Sequence, residues 1–259
     1  MELSVNSLSF SYHCFPVLHD ITFNEHTGSL VCVLGKNGSG KTTLFRCILG
    51  SLDFHTGTIT TDGEDIRKLN DQQRARKIAY IPQSHESAFS FPVIDMVLMG
   101  TTASLHGLQL PGQKEQQTAS DALTMLGIQE LAHRAFNHLS GGEQQLVLIA
   151  RALAQHASIL IMDEPCSSLD YGNQILVMQT LQKLRNMGYL ILLSTHNPEH
   201  AILYADEVIA IKNGSILCRG KPAEELTAPV LEQLYGVPVS IYTTENNIKI
   251  CIPYSGAEK

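Results

Sequence analysis

The sequence predicts an α/β fold in which a helical block interrupts a frame of strands and helices. Three observations carry this reading. Residues 29–34, 159–162 and 190–193 are short, almost wholly apolar runs, the pattern of strands buried on both faces. A glycine-rich loop follows the first run and opens a helix. Between residues 92 and 154, apolar residues recur at helical spacing: Ile94, Val97 and Leu98, then Ala122, Leu123 and Leu126, then Leu146, Ile149 and Leu153.

The other elements follow in order. Leu3, Val5 and Leu8, then Phe10 and Tyr12, give the alternation of a strand. Gly28 marks the turn into residues 29–34. Residues 42–49 form a helix that Gly50 closes. Residues 57–63, with glycine at both ends, and 78–81 read as two more strands. A helix is expected around 174–187, between the apolar runs 159–162 and 190–193. Ile209-Ala210-Ile211 and Ser215-Ile216-Leu217 flank Asn213-Gly214, a strong hairpin signal.

Composition bounds the class. The chain has 259 residues, 44% hydrophobic and only 17% charged, with a net charge of −7. That apolar share excludes disorder, and the even usage excludes collagen-like and low-complexity classes. The negative balance argues against broad nucleic-acid binding. The runs 159–162 and 190–193 fall far short of the roughly 20 apolar residues that span a bilayer. Met1-Glu2-Leu3-Ser4-Val5 lacks the basic and apolar segments of a secretory leader, so a cytosolic protein is expected. Cys14, Cys32, Cys47, Cys166, Cys218 and Cys251 are scattered without a CxxC pair, which fits a reducing compartment. His196 and His200 stand four apart, but Pro198 between them speaks against a helical metal face.

Gly35-Lys36-Asn37-Gly38-Ser39-Gly40-Lys41-Thr42 fits the phosphate-loop pattern GxxxxGK followed by Ser or Thr, between a strand and a helix. Glycines let successive backbone N–H groups converge on phosphate oxygens. The helix beginning there adds the positive end of its dipole. Lys41 would bridge β- and γ-phosphates, and the Thr42 hydroxyl would bind Mg²⁺. The apolar run 159–162 delivers Asp163 and Glu164 at its C-terminal end, where open α/β sheets bind ligands. Adjacent acids suit a division of labour: Asp163 for the Mg²⁺ shell, Glu164 for polarising a water. Leu139-Ser140-Gly141-Gly142-Glu143 precedes an apolar-periodic helix and forms either a second anion nest or an ordinary capped helix start.

Taken together, these motifs make the chain similar to the ATP-binding subunits of ABC transporters over nearly its whole length. The phosphate loop resembles Walker A, Asp163 and Glu164 the Walker B acid and catalytic glutamate, and Ser140, Gly141 and Gly142 the signature motif. Gln83 resembles the Q-loop glutamine, Ser168-Leu169-Asp170 the D-loop, and His196 the switch histidine. Tyr12, 23 residues before Gly35, stands where the family stacks an aromatic ring on adenine, though a strand-face core aromatic would read the same way. Glu143, Cys166 and Asn197 depart from the family's usual Gln, Thr and Asp.

The resemblance implies a P-loop NTPase core, a mixed sheet flanked by helices, with an inserted helical subdomain and an N-terminal antiparallel β subdomain. Residues 1–236 would form the cassette, with 1–83 and 156–236 as core and 84–155 as helical subdomain. Residues 237–259 would add a short C-terminal β extension. Gly35, Asn37, Gly38, Ser39, Gly40, Lys41, Thr42, Thr43, Gln83, Asp163 and Asp170 would bind ATP, with Thr42, Gln83 and Asp163 on Mg²⁺. Two copies would sandwich two ATPs, each phosphate loop facing the partner's signature motif. Glu164, His196 and Lys41 would carry hydrolysis, driving a membrane permease from its cytoplasmic face.

Phe91-Pro92-Val93-Ile94-Asp95-Met96-Val97-Leu98-Met99-Gly100 and the tail through Leu234-Tyr235-Gly236-Val237 resemble importers of iron–siderophore, haem, cobalamin and related metal complexes or oxyanions. Thr101 departs from that branch, which often has Arg there. An extracytoplasmic binding protein would then present the cargo. Another reading is a soluble, non-transport ABC ATPase of iron–sulfur assembly or DNA repair. A small-molecule P-loop kinase leaves the Ser-Gly-Gly nest and His196 unexplained.

Overall fold

Every residue of Leu30–Leu34 is buried, because both faces of this strand are covered. The computed structural model describes residues 1–83, 90–105, 109–245 and 249–253. Residues 84–89 and 106–108 of the expected helical subdomain, and 246–248 and 254–259 of the expected C-terminal extension, lie outside the described residues.

The chain opens with β1 (Glu2–Tyr12), β2 (Phe15–His26), β3 (Leu30–Leu34) and α1 (Lys41–Ile48). Next come β4 (Thr56–Thr61), β5 (Glu64–Asp65), α2 (Asp71–Lys77) and β6 (Ile78–Ile81). The helical stretch contains α3 (Val93–Leu98), α4 (Gln113–Met125) and α5 (Gly141–Ala154). The frame resumes with β7 (Ile159–Met162), α6 (Tyr171–Asn186), β8 (Leu190–Thr195) and α7 (Pro198–Tyr204). It ends with β9 (Glu207–Lys212), β10 (Ser215–Gly220), α8 (Pro222–Glu225), α9 (Ala228–Tyr235), β11 (Val239–Thr243) and β12 (Lys249–Pro253).

A six-stranded sheet runs β10-β9-β3-β8-β7-β6, parallel throughout except for β10, which hairpins onto β9 through Asn213-Gly214. A four-stranded antiparallel sheet, β2-β1-β4-β5, carries the N-terminal strands, and β11 and β12 form a two-stranded sheet among the described residues. The fold class is therefore the expected one: a mixed α/β core with a helical insertion and an N-terminal antiparallel sheet.

The pleat explains the unbroken apolar runs. Leu30, Cys32 and Leu34 point into one core with α5 and α6. Val31 and Val33 point into the other, shared with α1 and the antiparallel sheet. β7 divides the same way, Leu160 to one side and Ile159 and Ile161 to the other. Each such side chain contributes roughly 1.5–3 kcal/mol on burial. The C-terminal ends of the adjacent strands β3, β8 and β7 are thereby held in fixed register.

Some boundaries differ from expectation. Between Val5 and Leu8 the pairing slips at a bulge where Ser7 has φ +48°, so an odd spacing still buries both residues. α6 starts at Tyr171, earlier than the apolar pattern suggests, because the Asp170 side chain accepts the Asn173 N–H and caps it.

Candidate functional site

The loop after β3 turns into α1 at Gly40, whose φ of +105° admits glycine readily. No side chain among the described residues caps α1, which leaves its first amides to the loop. Gly35 leaves no room for a side chain: a Cβ there would stand 2.5 Å from Ile211 O. Lys41 is only 5% exposed. Its ammonium donates to Gly35 O at 2.8 Å and Lys36 O at 3.2 Å, and lies 3.4 Å from Glu164 Oε1.

The acids arrive from β7. Thr42 Oγ1 donates to Asp163 Oδ2 at 2.7 Å, and Ser194 Oγ of β8 donates to Asp163 Oδ1 at 2.6 Å. Glu164 sits at φ +46°, a left-handed conformation uncommon for a non-glycine residue and concentrated at functional sites. Its N–H donates to Ser194 Oγ at 2.9 Å, and its Oε2 lies 3.1 Å from His196 Nδ1. Gln83, after β6, donates to Ser167 Oγ at 3.3 Å.

Lys41, Thr42, Gln83, Asp163 and Glu164 border a cleft of about 250 Å³ that Val17, Asn37, Gly38, Gly40 and Thr43 also line, whereas His196 and Ser194 line a separate small pocket on the other side of Glu164. Two features fit a nucleotide with a hard divalent cation. The buried Ser39 Oγ, in the phosphate loop itself, has no hydrogen-bond partner among the described residues. Thr42, Asp163 and Gln83 offer hydroxyl, carboxylate and amide oxygens, a donor set suited to Mg²⁺ shared with phosphate oxygens.

Other candidates stand outside the cleft. Ser140 caps α5 in a capping box with Glu143, its backbone N–H donating to Glu143 Oε2 at 2.8 Å. That cap, with Arg134 beside it, holds the Glu143 carboxyl below its usual range. Asp170 caps α6. Tyr12 is 37% exposed and meets Phe10 edge to face at 4.8 Å. Ser140, Gly141, Gly142, Asp170 and Tyr12 therefore line no part of the cleft.

Sequence reasoning missed Val17, Ser194 and the support behind His196. Thr195 Oγ1 accepts the Asn197 N–H at 3.0 Å and meets His200 Nδ1 at 3.1 Å. Burial and the neighbouring His196 push the His200 imidazole below its usual range, which keeps it neutral. The signal available for Ser194 was a polar residue closing a fully apolar buried strand.

A glycine-rich loop, an uncapped helix and a strand-borne acid pair define a P-loop nucleotide-binding protein. Residues 18–167 match the sequence profile of the ABC transporter family. An uncharacterized ABC transporter ATP-binding protein of Haemophilus influenzae is 39% identical over 235 residues, covering 91% of this chain and 89% of that protein. The "probable iron chelatin transport ATP-binding protein" of Helicobacter pylori is 33% identical, with 96% and 99% covered. The manganese transport system ATP-binding protein MntB of Listeria innocua is 35% identical, with 90% and 96% covered. Among solved structures, an inward-facing ABC transporter of proposed metal-chelate type superposes with a TM-score of 0.86 at 30% identity, covering 97% and 96%. The chain belongs to the ABC transporter family, as an ATP-binding subunit with ATPase activity. No helix among the described residues is long and apolar enough to cross a membrane.

Proposed function

We propose that this chain is the ATP-hydrolysing subunit of an importer for metal ions or metal chelates, working as a pair around two ATP molecules. The observation that carries the pairing is the separation of two anion-binding features. The cleft at Lys41 holds the acids, whereas Ser140, Gly141 and Gly142 start α5 outside it. A second copy supplying its Ser140 nest to the γ-phosphate accounts for both. ATP then favours the closed pair because both subunits share one ligand.

In this reading Lys41 leaves its own loop carbonyls for β- and γ-phosphate oxygens. Glu164 accepts the proton of a water whose oxygen attacks the γ-phosphorus. The bond to the β-phosphate oxygen breaks, and ADP and phosphate leave. His196 orients Glu164 and the γ-phosphate, and Lys41 balances the developing charge. Mg²⁺, held by Thr42, Asp163 and Gln83, would supply Lewis-acid neutralisation of phosphate oxygens.

Tyr12 would stack on adenine, and Asp170 would reach the partner copy. Residues 1–236 act as the cassette, with 1–83 and 156–236 as core and 84–155 as the helical unit that docks on a permease at the cytoplasmic face. The metal-chelate assignment draws on the iron chelatin and manganese relatives and on the metal-chelate type structure.

The test is Glu164→Gln with ATP and Mg²⁺. It should bind ATP, turn over very slowly and elute as a dimer; a variant that hydrolyses normally removes Glu164 from its role. Extraction from native membranes tests the assembly. Recovery with a multi-span permease supports the importer, and recovery as a free protein favours a soluble ABC ATPase.

A further inference from the structure

We infer that Tyr235, at the end of α9, is a positioning residue for ATP hydrolysis that acts by pinning the peptide bearing His196. Its hydroxyl donates to the His196 carbonyl oxygen at 2.8 Å. The other end of the same peptide unit is also held, since the Asn197 N–H donates to Thr195 Oγ1 at 3.0 Å. A peptide group is planar. Fixing its C=O and its N–H therefore fixes ψ of His196, and with it the direction from which the imidazole meets Glu164 Oε2 at 3.1 Å.

The donor is itself well anchored. Leu231 and Leu234 of α9 are buried in the main core, and Gly236 ends the helix in the left-handed conformation directly after Tyr235. The Tyr235 ring packs against that core. Burial and the nearby Cys251 of β12 push its phenol well above the usual range, so it stays a neutral donor. β12 also packs on α7, the helix that follows His196 and is capped by the Asn197 side chain accepting the Glu199 N–H at 2.9 Å. The segment after β10 thus holds both the histidine's own peptide and the helix behind it. Segments near a chain end hang loose unless tied down; here the tie ends on the residue that meets Glu164.

This inference rests on His196 assisting hydrolysis, and the experiment separates the two claims. Tyr235→Phe keeps the ring and removes only the hydroxyl. Steady-state hydrolysis by the full-length chain with Mg²⁺ should show kcat lowered roughly three- to ten-fold, the value of one neutral hydrogen bond, with KM for ATP unchanged. In a His196→Ala background, Tyr235→Phe should cause no further loss, since nothing remains to be positioned. A wild-type kcat in Tyr235→Phe, or a loss that multiplies with that of His196→Ala, would overturn the positioning role while leaving the proposed function intact. Full kcat in His196→Ala would instead remove the histidine's role, and this inference with it.

Discussion

Ser194 Oγ donates to Asp163 Oδ1 at 2.6 Å while accepting the Glu164 N–H at 2.9 Å, so one hydroxyl of β8 orients both acids of β7. Ser194 is fully buried. Ser194→Ala is expected to release Asp163 from one fixed direction and to leave the N–H of Glu164, already at φ +46°, unsatisfied. Hydrogen bonds to a charged partner are worth about 1.5–3 kcal/mol, which translates to roughly ten- to hundred-fold in kcat if the loss falls on the transition state. Hydrolysis rates with a melting curve check this; an unchanged kcat would mean the acids are oriented by Thr42 and the strand alone.

Much of this arrangement was legible in the sequence because it is local. Residues 30–34 and 159–162 announce doubly covered strands, and the phosphate loop between β3 and α1 fits its motif residue by residue. Thr42 and Asp163, 121 positions apart, could be paired in advance because each lies in a motif with a known role. Ser194 and Tyr235 could not. Their importance comes from where two strands and a C-terminal helix meet, and no periodicity encodes which hydroxyl faces which backbone group. The three apolar groups read between 92 and 154 fall on α3, α4 and α5 in turn, with Leu126 just past the end of α4.

Lys41→Ala tests the phosphate role of the loop. The lysine is buried, and its ammonium rests on two carbonyls and Glu164. The substitution should weaken ATP binding by roughly tenfold or more, the loss of one charge-assisted contact to phosphate. The Mg²⁺–ATP dissociation constant from calorimetry is the measurement, and wild-type affinity would contradict phosphate bridging.

The two glycines of the nest should differ in tolerance. A Cβ on Gly142 would stand 2.2 Å from Asn173 Oδ1 and 2.9 Å from Asn173 Cβ. Asn173 also donates twice to Asp170, from its backbone N–H at 2.9 Å and from Nδ2 at 2.8 Å, so swinging its amide away forfeits the Nδ2 bond and still leaves its Cβ too close. On Gly141 the nearest atom would be Leu169 Cδ2 at 3.2 Å, the end of a flexible side chain. Gly142→Ala should therefore cost about 1–3 kcal/mol, the range for overpacking, and impair ATP-driven pairing, whereas Gly141→Ala should cost clearly less. Denaturant titration of both variants checks the order; equal losses would show that α5 and α6 adjust together.

Glu25 makes stability depend on pH. It lies in β2, almost fully buried, with Oε1 3.1 Å from Arg219 Nη2, and the same guanidinium also faces Glu207, its Nε 3.5 Å from Glu207 Oε2. Burial foremost, and then the Glu207 charge, raise the Glu25 pKa from an ordinary 4.5 to about 7, Arg219 only partly offsetting them. The folded chain thus holds this proton more tightly than the unfolded one. The associated stability is complete below pH 4.5 and is lost as pH rises through about 7. Glu25→Gln mimics the protonated form. It should match wild type near pH 4.5 and exceed it at pH 8 by up to about 3 kcal/mol, the free-energy equivalent of the raised pKa. Denaturant midpoints measured across this range decide the matter. A variant less stable than wild type at pH 8 would mean that the ionised Glu25–Arg219 pair outweighs its burial.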